Sequence, residues 1–259
     1  MNISIVGCGV VGSAISDSFK QKGIEHFCYD KYKNIGIKNE ILKSSLIIAC
    51  LPTPNIKDGI YDLSEIYETL DFLHDNNYSG ELCLKSTLAP GTTNDINSKC
   101  HFKVYNSPEF LSERSAFDDF HNQDHVVIGS DYLNTSYEIL MRNHYSENIS
   151  LIGPSESEAM KIFCNSFYAM KIMVFNEFYD ICKNKNLEFS IIKDAMLKNG
   201  WINPMHTDVP GPDGNLGFGG MCLPKDISSL CEFASRSESL NEMMKSAIKE
   251  NNIIRRKKC

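Results

Sequence analysis

The first dozen residues constrain this chain more than any other stretch. Residues 1–6 form a short apolar run that leads directly into Gly7-Cys8-Gly9-Val10-Val11-Gly12, and an amphipathic stretch follows to about Lys22. A strand, three glycines at this spacing and a helix open a βαβ unit that binds a dinucleotide. The first glycine makes the turn, and the second lets a pyrophosphate approach the helix N-terminus. The third packs helix against strand. Val10 and Val11 stand between them on the same candidate cofactor surface. A second strand, Glu25–Tyr29, ends in Asp30, 18 residues past Gly12. An acid there hydrogen-bonds ribose hydroxyls and repels a 2′-phosphate, which favours NAD over NADP. The adjacent Lys31 is within reach of such a phosphate and equally fits a surface charge. On spacing alone, the glycines also fit a tight turn without a ligand.

Strand patterns recur at Ser45–Leu51, Glu81–Lys85, Phe102–Tyr105, Asp124–Gly129 and Ile149–Ile152, with helical patterns at Asp62–Leu73 and Tyr132–His144. This alternation predicts an α/β fold, a Rossmann doubly wound sheet. Gly153-Pro154 interrupts it, so residues 1–153 read as the dinucleotide-binding domain and 154–259 as an all-α domain. The second domain opens on a long helix, Ser155–Asn186, with Ser155 and Glu158 placed as a capping box. Ile162, Phe163, Phe167, Met170, Val174, Phe175 and Phe178 recur along it at helical spacing. A helix over Ser190–Lys198 ends at Asn199-Gly200, a C-cap pattern. A loop from Asn203 to Leu216 and helices near Pro224–Ser235 and Leu240–Arg256 complete the chain.

Composition excludes several classes. Net charge is −7 across 259 residues, against a nucleic-acid surface. The basic run Arg255-Arg256-Lys257-Lys258 reads as a solvated helix end or frayed tail. The ten cysteines are scattered, without zinc-like CxxC pairs, and several lie in apolar runs such as Ile47-Ile48-Ala49-Cys50. They fit reduced thiols of a cytoplasmic protein, with no metal site. Neither a signal peptide nor a membrane span is expected.

Chemistry concentrates in Gly217-Phe218-Gly219-Gly220-Met221-Cys222-Leu223-Pro224-Lys225-Asp226. The glycines allow close approach of backbone to a ligand. Pro224 suits a first helical position, and Asp226 suits the first turn. Cys222 then precedes a helix N-terminus with Lys225 nearby, a setting that favours the thiolate. A buried structural cysteine fits the same spacing. Glu109 and Glu113 are four apart, so a helical turn would place both carboxylates on one face, as acid/base chemistry or a solvated face would have it. Lys161 and Asn165 are also four apart, on the long helix. Lys171 and Glu177 read as structural charges, and His206 as a loop-surface residue.

Six segments in order resemble the UDP-glucose/GDP-mannose dehydrogenase family. They are the glycine loop, Thr53-Pro54, Ser86-Thr87-Leu88-Ala89-Pro90-Gly91-Thr92, Pro108-Glu109-Phe110-Leu111-Ser112-Glu113, Lys161-x-x-x-Asn165 and the Cys222 loop. Ser107 interrupts the Asn–Pro pair usual in the fourth. The resemblance implies NAD-dependent, four-electron oxidation of a nucleotide-sugar alcohol to a carboxylate. It assigns catalysis to Cys222, Lys161, Asn165, Asp226, Glu109 and Thr87. Cofactor contacts fall to Thr53, Thr87, Glu113 and Lys225 besides the glycine loop, Asp30 and Lys31. Substrate contacts fall to Glu109, Phe110, Leu111, Lys161, Asn165, Phe218 and Gly219. It also implies a homodimer through helix 155–186. Family members continue into a third, nucleotide-binding domain, which the expected arrangement here lacks. Three alternatives stay open: a two-domain β-hydroxyacid-type dehydrogenase, a non-catalytic NAD-binding protein, and a half-enzyme completed by another chain.

Overall fold

A computed structural model describes residues 1–56 and 59–256; Lys57, Asp58, Lys257, Lys258 and Cys259 lie outside the described residues, and with them half of the C-terminal basic run. The chain divides into two compact units. One comprises Met1–Pro54 and Tyr61–Lys161, the other Asn55–Ile60 and the chain from Ile162 onward.

Among the described residues of the first unit, seven strands form one sheet. They are β1 (Ile3–Val6), β2 (Phe27–Tyr29), β3 (Leu46–Ala49), β4 (Glu81–Leu84), β5 (Lys103–Asn106), β6 (Val126–Gly129) and β7 (Ile149–Ile152), in the order β2-β1-β3-β4-β5-β6-β7. The order reverses at β1, the switch point where such sheets bind ligands. Neighbours run parallel except β5 and β6, which are antiparallel and share the single pair Asn106–Gly129. Every residue of β1 and β3 is buried. Parallel strands covered on both faces need such continuous apolar runs. Successive residues serve opposite faces: Ile48 packs with Ile5, Phe19, Tyr105 and Phe120, and Ile47 with Ile66, Leu70, Leu82 and Val104.

Helices α1 (Val10–Gln21), α2 (Ser64–Asp75), α3 (Thr92–Asn97), α4 (Ala116–His121) and α5 (Ser136–His144) connect the strands. α5 starts four residues later than its pattern predicts, because Thr135 caps it by accepting from the Glu138 N–H at 3.2 Å. The pattern gives no sign of α3 or α4, since six residues hold too few turns for periodicity to show.

The second unit is all-α. α6 (Pro154–Lys185) enters it at Ile162, and α7 (Phe189–Lys198), α8 (Leu223–Arg236) and α9 (Glu242–Arg256) follow. Ala169, Met173, Phe218, Ile227 and Ala247 form its core. Gly200, at φ 84°, follows the C-cap Asn199 as the sequence predicts. The predicted capping box on α6 does not form. Glu158 turns to the first unit's α3 instead, accepting from the N–H of Gly91 (2.7 Å), the N–H of Thr93 (2.8 Å) and the Thr93 hydroxyl (2.6 Å). Burial raises its pKa against those bonds. No helix among the described residues is long and apolar enough to cross a membrane.

Candidate active site

The glycine loop joins β1 to α1. Gly7 sits at φ 86°, and a Cβ there would meet the Cys50 carbonyl oxygen at 2.5 Å. A Cβ on Gly12 would strike the Gly7 carbonyl oxygen. These two glycines are demanded by the protein's own backbone. Gly9 is not: a Cβ there would find nothing within 4 Å. Gly9 is also the N-cap of α1 and brings no side-chain cap. The first amides of α1 therefore suit an anion. Val10 is exposed beside them, and Val11 packs on the core.

Asp30 ends the next strand and is tied to this loop. Its Oδ2 accepts from the Cys8 N–H at 2.7 Å, and its Oδ1 from the N–H groups of Tyr32 and Lys33 at 2.9 Å each. Burial works against the carboxylate, but these donors hold its pKa below the ordinary value. Lys31 pairs with Glu65 (2.8 Å) and Glu68 (2.6 Å) on α2. Lys33, which sequence reasoning missed, donates from Nζ to the Cys8 carbonyl at 2.6 Å. An open glycine at a helix N-terminus and a carboxylate beside it fit the pyrophosphate and ribose of a dinucleotide.

The loops after β3 and β4 are cross-braced. The buried Thr53 hydroxyl donates to the Thr87 carbonyl at 2.8 Å, and the Ser86 hydroxyl to the Leu51 carbonyl at 2.6 Å. Lys85, also missed, is buried at the end of this strand. Its Nζ lies 3.0 Å from Glu109 Oε2 and donates to Ser107 Oγ and Tyr137 Oη at 3.1 Å each. Burial works against this ammonium, yet the Glu109 carboxylate outweighs it and the pKa is raised. Ser107 thus has a function in the fold: it accepts from Lys85 and donates to the Val127 carbonyl at 2.8 Å.

Residues 107–112 form no helix, so Glu109 and Glu113 do not share the helical face that their spacing suggests. Pro108 disfavours a helical Ser107, and Lys85 draws Glu109 inward while Glu113 stays exposed. Leu111 packs on the sheet core. Phe110 is exposed, and Lys161 Nζ stands 4.6 Å from its ring centroid, a cation–π contact.

In the second unit, Cys222 is the exposed N-cap of α8, and Leu223 and Pro224 open the helix. Asp226, fully buried one turn on, accepts from Asn165 Nδ2 at 2.6 Å and lies 2.8 Å from Lys225 Nζ. The Lys225 carbonyl accepts from Asn55 Nδ2 at 3.0 Å. Phe218 is buried in the helical core, and its N–H donates to Asn251 Oδ1 at 2.8 Å. What the loop exposes at this point is backbone. The space beside Gly219 that a Cβ would need is filled by the Arg255 guanidinium. Arg255 is no frayed tail residue: it donates to Asp213 (2.8 Å) and to the Gly217 carbonyl (3.1 Å). His206 packs against Tyr168, ring centroids 4.9 Å apart and planes tilted by 36°, with its pKa lowered by burial and by Lys171. Among the described residues no three His, Cys, Asp or Glu side chains are grouped to hold a metal.

Residues 33–147 match the NAD binding domain of the UDP-glucose/GDP-mannose dehydrogenase family, and residues 155–253 its central domain. The chain belongs to that family. As a family member it uses NAD as its cofactor. The UDP-glucose 6-dehydrogenase of Rickettsia prowazekii is 31% identical over 240 residues, 86% of this chain and 52% of that protein. The chain thus spans about half the length of the curated relatives it matches. A UDP-glucose dehydrogenase from Pyrobaculum islandicum shares the fold, with TM-score 0.85 at 22% identity over 97% of this chain and 68% of that one. So does the 3-hydroxyisobutyrate dehydrogenase of Mycobacterium tuberculosis, with TM-score 0.73 at 14% identity over 96% and 91%. The family's central domain here carries Lys161, Asn165 and the whole Cys222 loop, while the glycine loop precedes the matched NAD-binding segment.

Proposed function

We propose that this chain carries the catalytic core of a nucleotide-sugar 6-dehydrogenase that oxidises a primary alcohol to a carboxylate in two steps. The observation that carries the reading is the start of α8. There an exposed Cys222 occupies the N-cap position, and one turn on a buried Asp226 is held by Asn165 and Lys225. The domain boundary at residues 153/154 is part of the same reading.

NAD⁺, when bound, accepts hydride. Gly7, Gly9, Gly12, Val10, Val11 and Asp30 would hold its pyrophosphate and ribose, with Thr53, Thr87, Glu113 and Lys225 toward the reacting end. The family resemblance assigns to Asp226 and to Lys161 a role in taking the alcohol proton through a water. The Cys222 thiolate would add to the resulting aldehyde as a thiohemiacetal; transfer of the carbon-bound hydride to a second NAD⁺, with loss of the hydroxyl proton, would leave a thioester on Cys222. Water aided by Glu109 and Thr87 releases the acid and returns the thiol. Lys161 and Asn165 face the developing oxyanion; removing one such donor slows a reaction by roughly 10²–10³-fold. The covalent step keeps the aldehyde from escaping.

Assembly as a homodimer through α6 belongs to the proposal. Its support is the exposure of Phe163, Phe167, Val174 and Ile181 on that helix.

The test counts NADH per acid released with a panel of nucleotide sugars. The parent gives two. Cys222→Ser permits the first hydride transfer and then stalls near one NADH per site, because an alkoxide leaves a serine ester far more slowly than a thiolate leaves a thioester. Full turnover by Cys222→Ser removes the nucleophile assignment. The shared fold over 91% of a 3-hydroxyisobutyrate dehydrogenase favours a second reading, a two-electron alcohol dehydrogenase. That reading gives one NADH per product and no dependence on Cys222.

A further inference from the structure

A short excursion interrupts the first unit. The chain leaves it after Pro54, packs with the helical unit over Asn55–Ile60 and returns at Tyr61. Backbone bonds close its base: the Asp62 N–H donates to the Pro54 carbonyl at 2.7 Å, and the Ile56 N–H to the Ile60 carbonyl at 2.9 Å. Its partner is the turn of α8 from Lys225 to Ser229. Asn55 Nδ2 donates to the Lys225 carbonyl at 3.0 Å, and the buried Ser229 hydroxyl donates to Asn55 Oδ1 at 3.1 Å. A carbonyl only accepts, which fixes the amide with its nitrogen toward Lys225 and its oxygen toward Ser229. Lys225 and Ser229 are four apart, so one planar amide spans one helical turn. The Ser229 hydroxyl also reaches the Gly59 carbonyl. A Cβ on Gly59 would strike the Ser228 carbonyl oxygen, so the excursion lies with its backbone against the helix.

The clasped turn is the one on which the reaction depends. Cys222 brings no side-chain cap to α8, and Pro224 has no N–H to give. A helix end without its own cap is held by bonds from outside the helix. The Asp226 N–H donates to the Cys222 carbonyl at 2.9 Å, which ties the cysteine to the turn. Asp226 follows Lys225 directly, and its carboxylate accepts from Asn165 at 2.6 Å. Any rotation or fraying of residues 225–229 therefore moves Cys222 and Asp226 together.

We propose that Asn55 is a positioning residue for the Cys222 chemistry: its amide fixes the turn 225–229 of α8, and with it the places of the thiol and of the Asp226 carboxylate. The inference rests on the role proposed for Cys222 and adds a residue that lies outside the six segments carrying the resemblance. Asn55 acts through the Lys225 carbonyl and the Ser229 hydroxyl, not on the substrate. A displacement of about 1 Å at a reacting centre costs about 10²-fold in rate, so even partial loosening of this turn is measurable. The pyrophosphate and ribose of the cofactor fall to the glycine loop and Asp30, so cofactor affinity changes little when the amide is lost.

Three variants of the full chain test this. Asn55→Ala removes both bonds. Asn55→Asp keeps the shape but sets an oxygen against the Lys225 carbonyl. Ser229→Ala removes the hydroxyl that anchors Asn55 and leaves its donor. Each is assayed for kcat and for the KM of NAD⁺ on the nucleotide sugar that the parent oxidises, for melting temperature, and for the rate at which iodoacetamide alkylates Cys222, followed by peptide mass spectrometry. Asn55→Ala and Asn55→Asp are expected to lower kcat about tenfold or more while the KM of NAD⁺ stays within about threefold. Alkylation of Cys222 at neutral pH slows in both, because an ordered helix N-terminus favours the reactive thiolate. Ser229→Ala gives a smaller loss of the same kind and reads the clasp if Asn55→Ala does not fold. A bond that serves stability alone lowers the melting temperature and leaves kcat and alkylation as in the parent; that result in Asn55→Asp overturns the proposal. Alkylation needs no turnover. A parent that releases no acid therefore removes the dehydrogenase reading, and the alkylation rates still decide whether Asn55 positions Cys222.

Discussion

Replacing Lys85 by Met keeps most of the aliphatic stem and removes one buried charge. The Lys85 side chain is 2% exposed, and its partner Glu109 is 10% exposed at 3.0 Å. Ser107 and Tyr137 complete the ammonium's contacts. In Lys85→Met the Glu109 carboxylate is left in that site without its countercharge. Breaking a buried pair from one side costs about 3–5 kcal/mol. At about 2–4 °C per kcal/mol for a domain of this size, melting falls by about 6–20 °C. Glu109→Gln strands the ammonium and is destabilising as well. The double variant has no buried charge and is expected to lose less than the two single changes together, with a coupling of about 2 kcal/mol. Urea unfolding of the four proteins, followed by near-ultraviolet circular dichroism, supplies the cycle. A Lys85→Met protein within 1 kcal/mol of the parent, or strictly additive single variants, would refute the argument that this pair holds the carboxylate in place.

Three further outcomes follow from geometry already described. Gly12→Ala is expected to prevent folding of the first unit, because its Cβ strikes the Gly7 carbonyl, whereas Gly9→Ala keeps the melting temperature and weakens NAD⁺ binding measured by calorimetry; equal effects on stability would contradict this. Asp30, whose pKa is lowered on folding, contributes stability above its unfolded value near about 3.9 and loses it as pH falls. The gap in unfolding free energy between parent and Asp30→Asn therefore narrows progressively as pH falls below about 4, and a gap that does not narrow on acidification sinks the assignment. Light scattering is expected to give a dimer at micromolar concentration, and Phe167→Glu to give a monomer; a monomeric parent removes α6 as an interface.

The alternation of strands and helices was legible because β1 and β3 are continuous apolar runs, and the glycine loop because steric demands at Gly7 and Gly12 leave little choice of residue. Asn165 and Asp226 were found by the motifs around them, although they lie 61 positions apart and only folding joins them. Lys85 was not found: a lysine closing a strand pattern resembles any strand end exposed to solvent, and Glu109, Ser107 and Tyr137 reach it from distant segments. The same holds for Glu158. Its position in a capping pattern was readable, but a stronger offer of three donors came from residues 91–93, out of sight of local spacing. Arg255 was misread for the converse reason, since a run of basic residues hides which member is anchored.

The lone antiparallel step in the sheet leaves a seam. β5 and β6 meet at one residue pair, while the strands on each side are joined by four. Asn106 locks this seam from the β5 side, donating to Thr93 Oγ1 at 3.0 Å and to the Pro154 carbonyl at 3.1 Å. A two-strand flap joined to its neighbour by one backbone pair and a few side-chain bonds, those of Asn106 and Ser107 among them, opens more easily than the block beside it. The amides of β6 and β7 thus exchange with solvent as a group, ahead of those of β1, β3 and β4. The nucleotide-facing half of the sheet can stay folded while its far edge breathes.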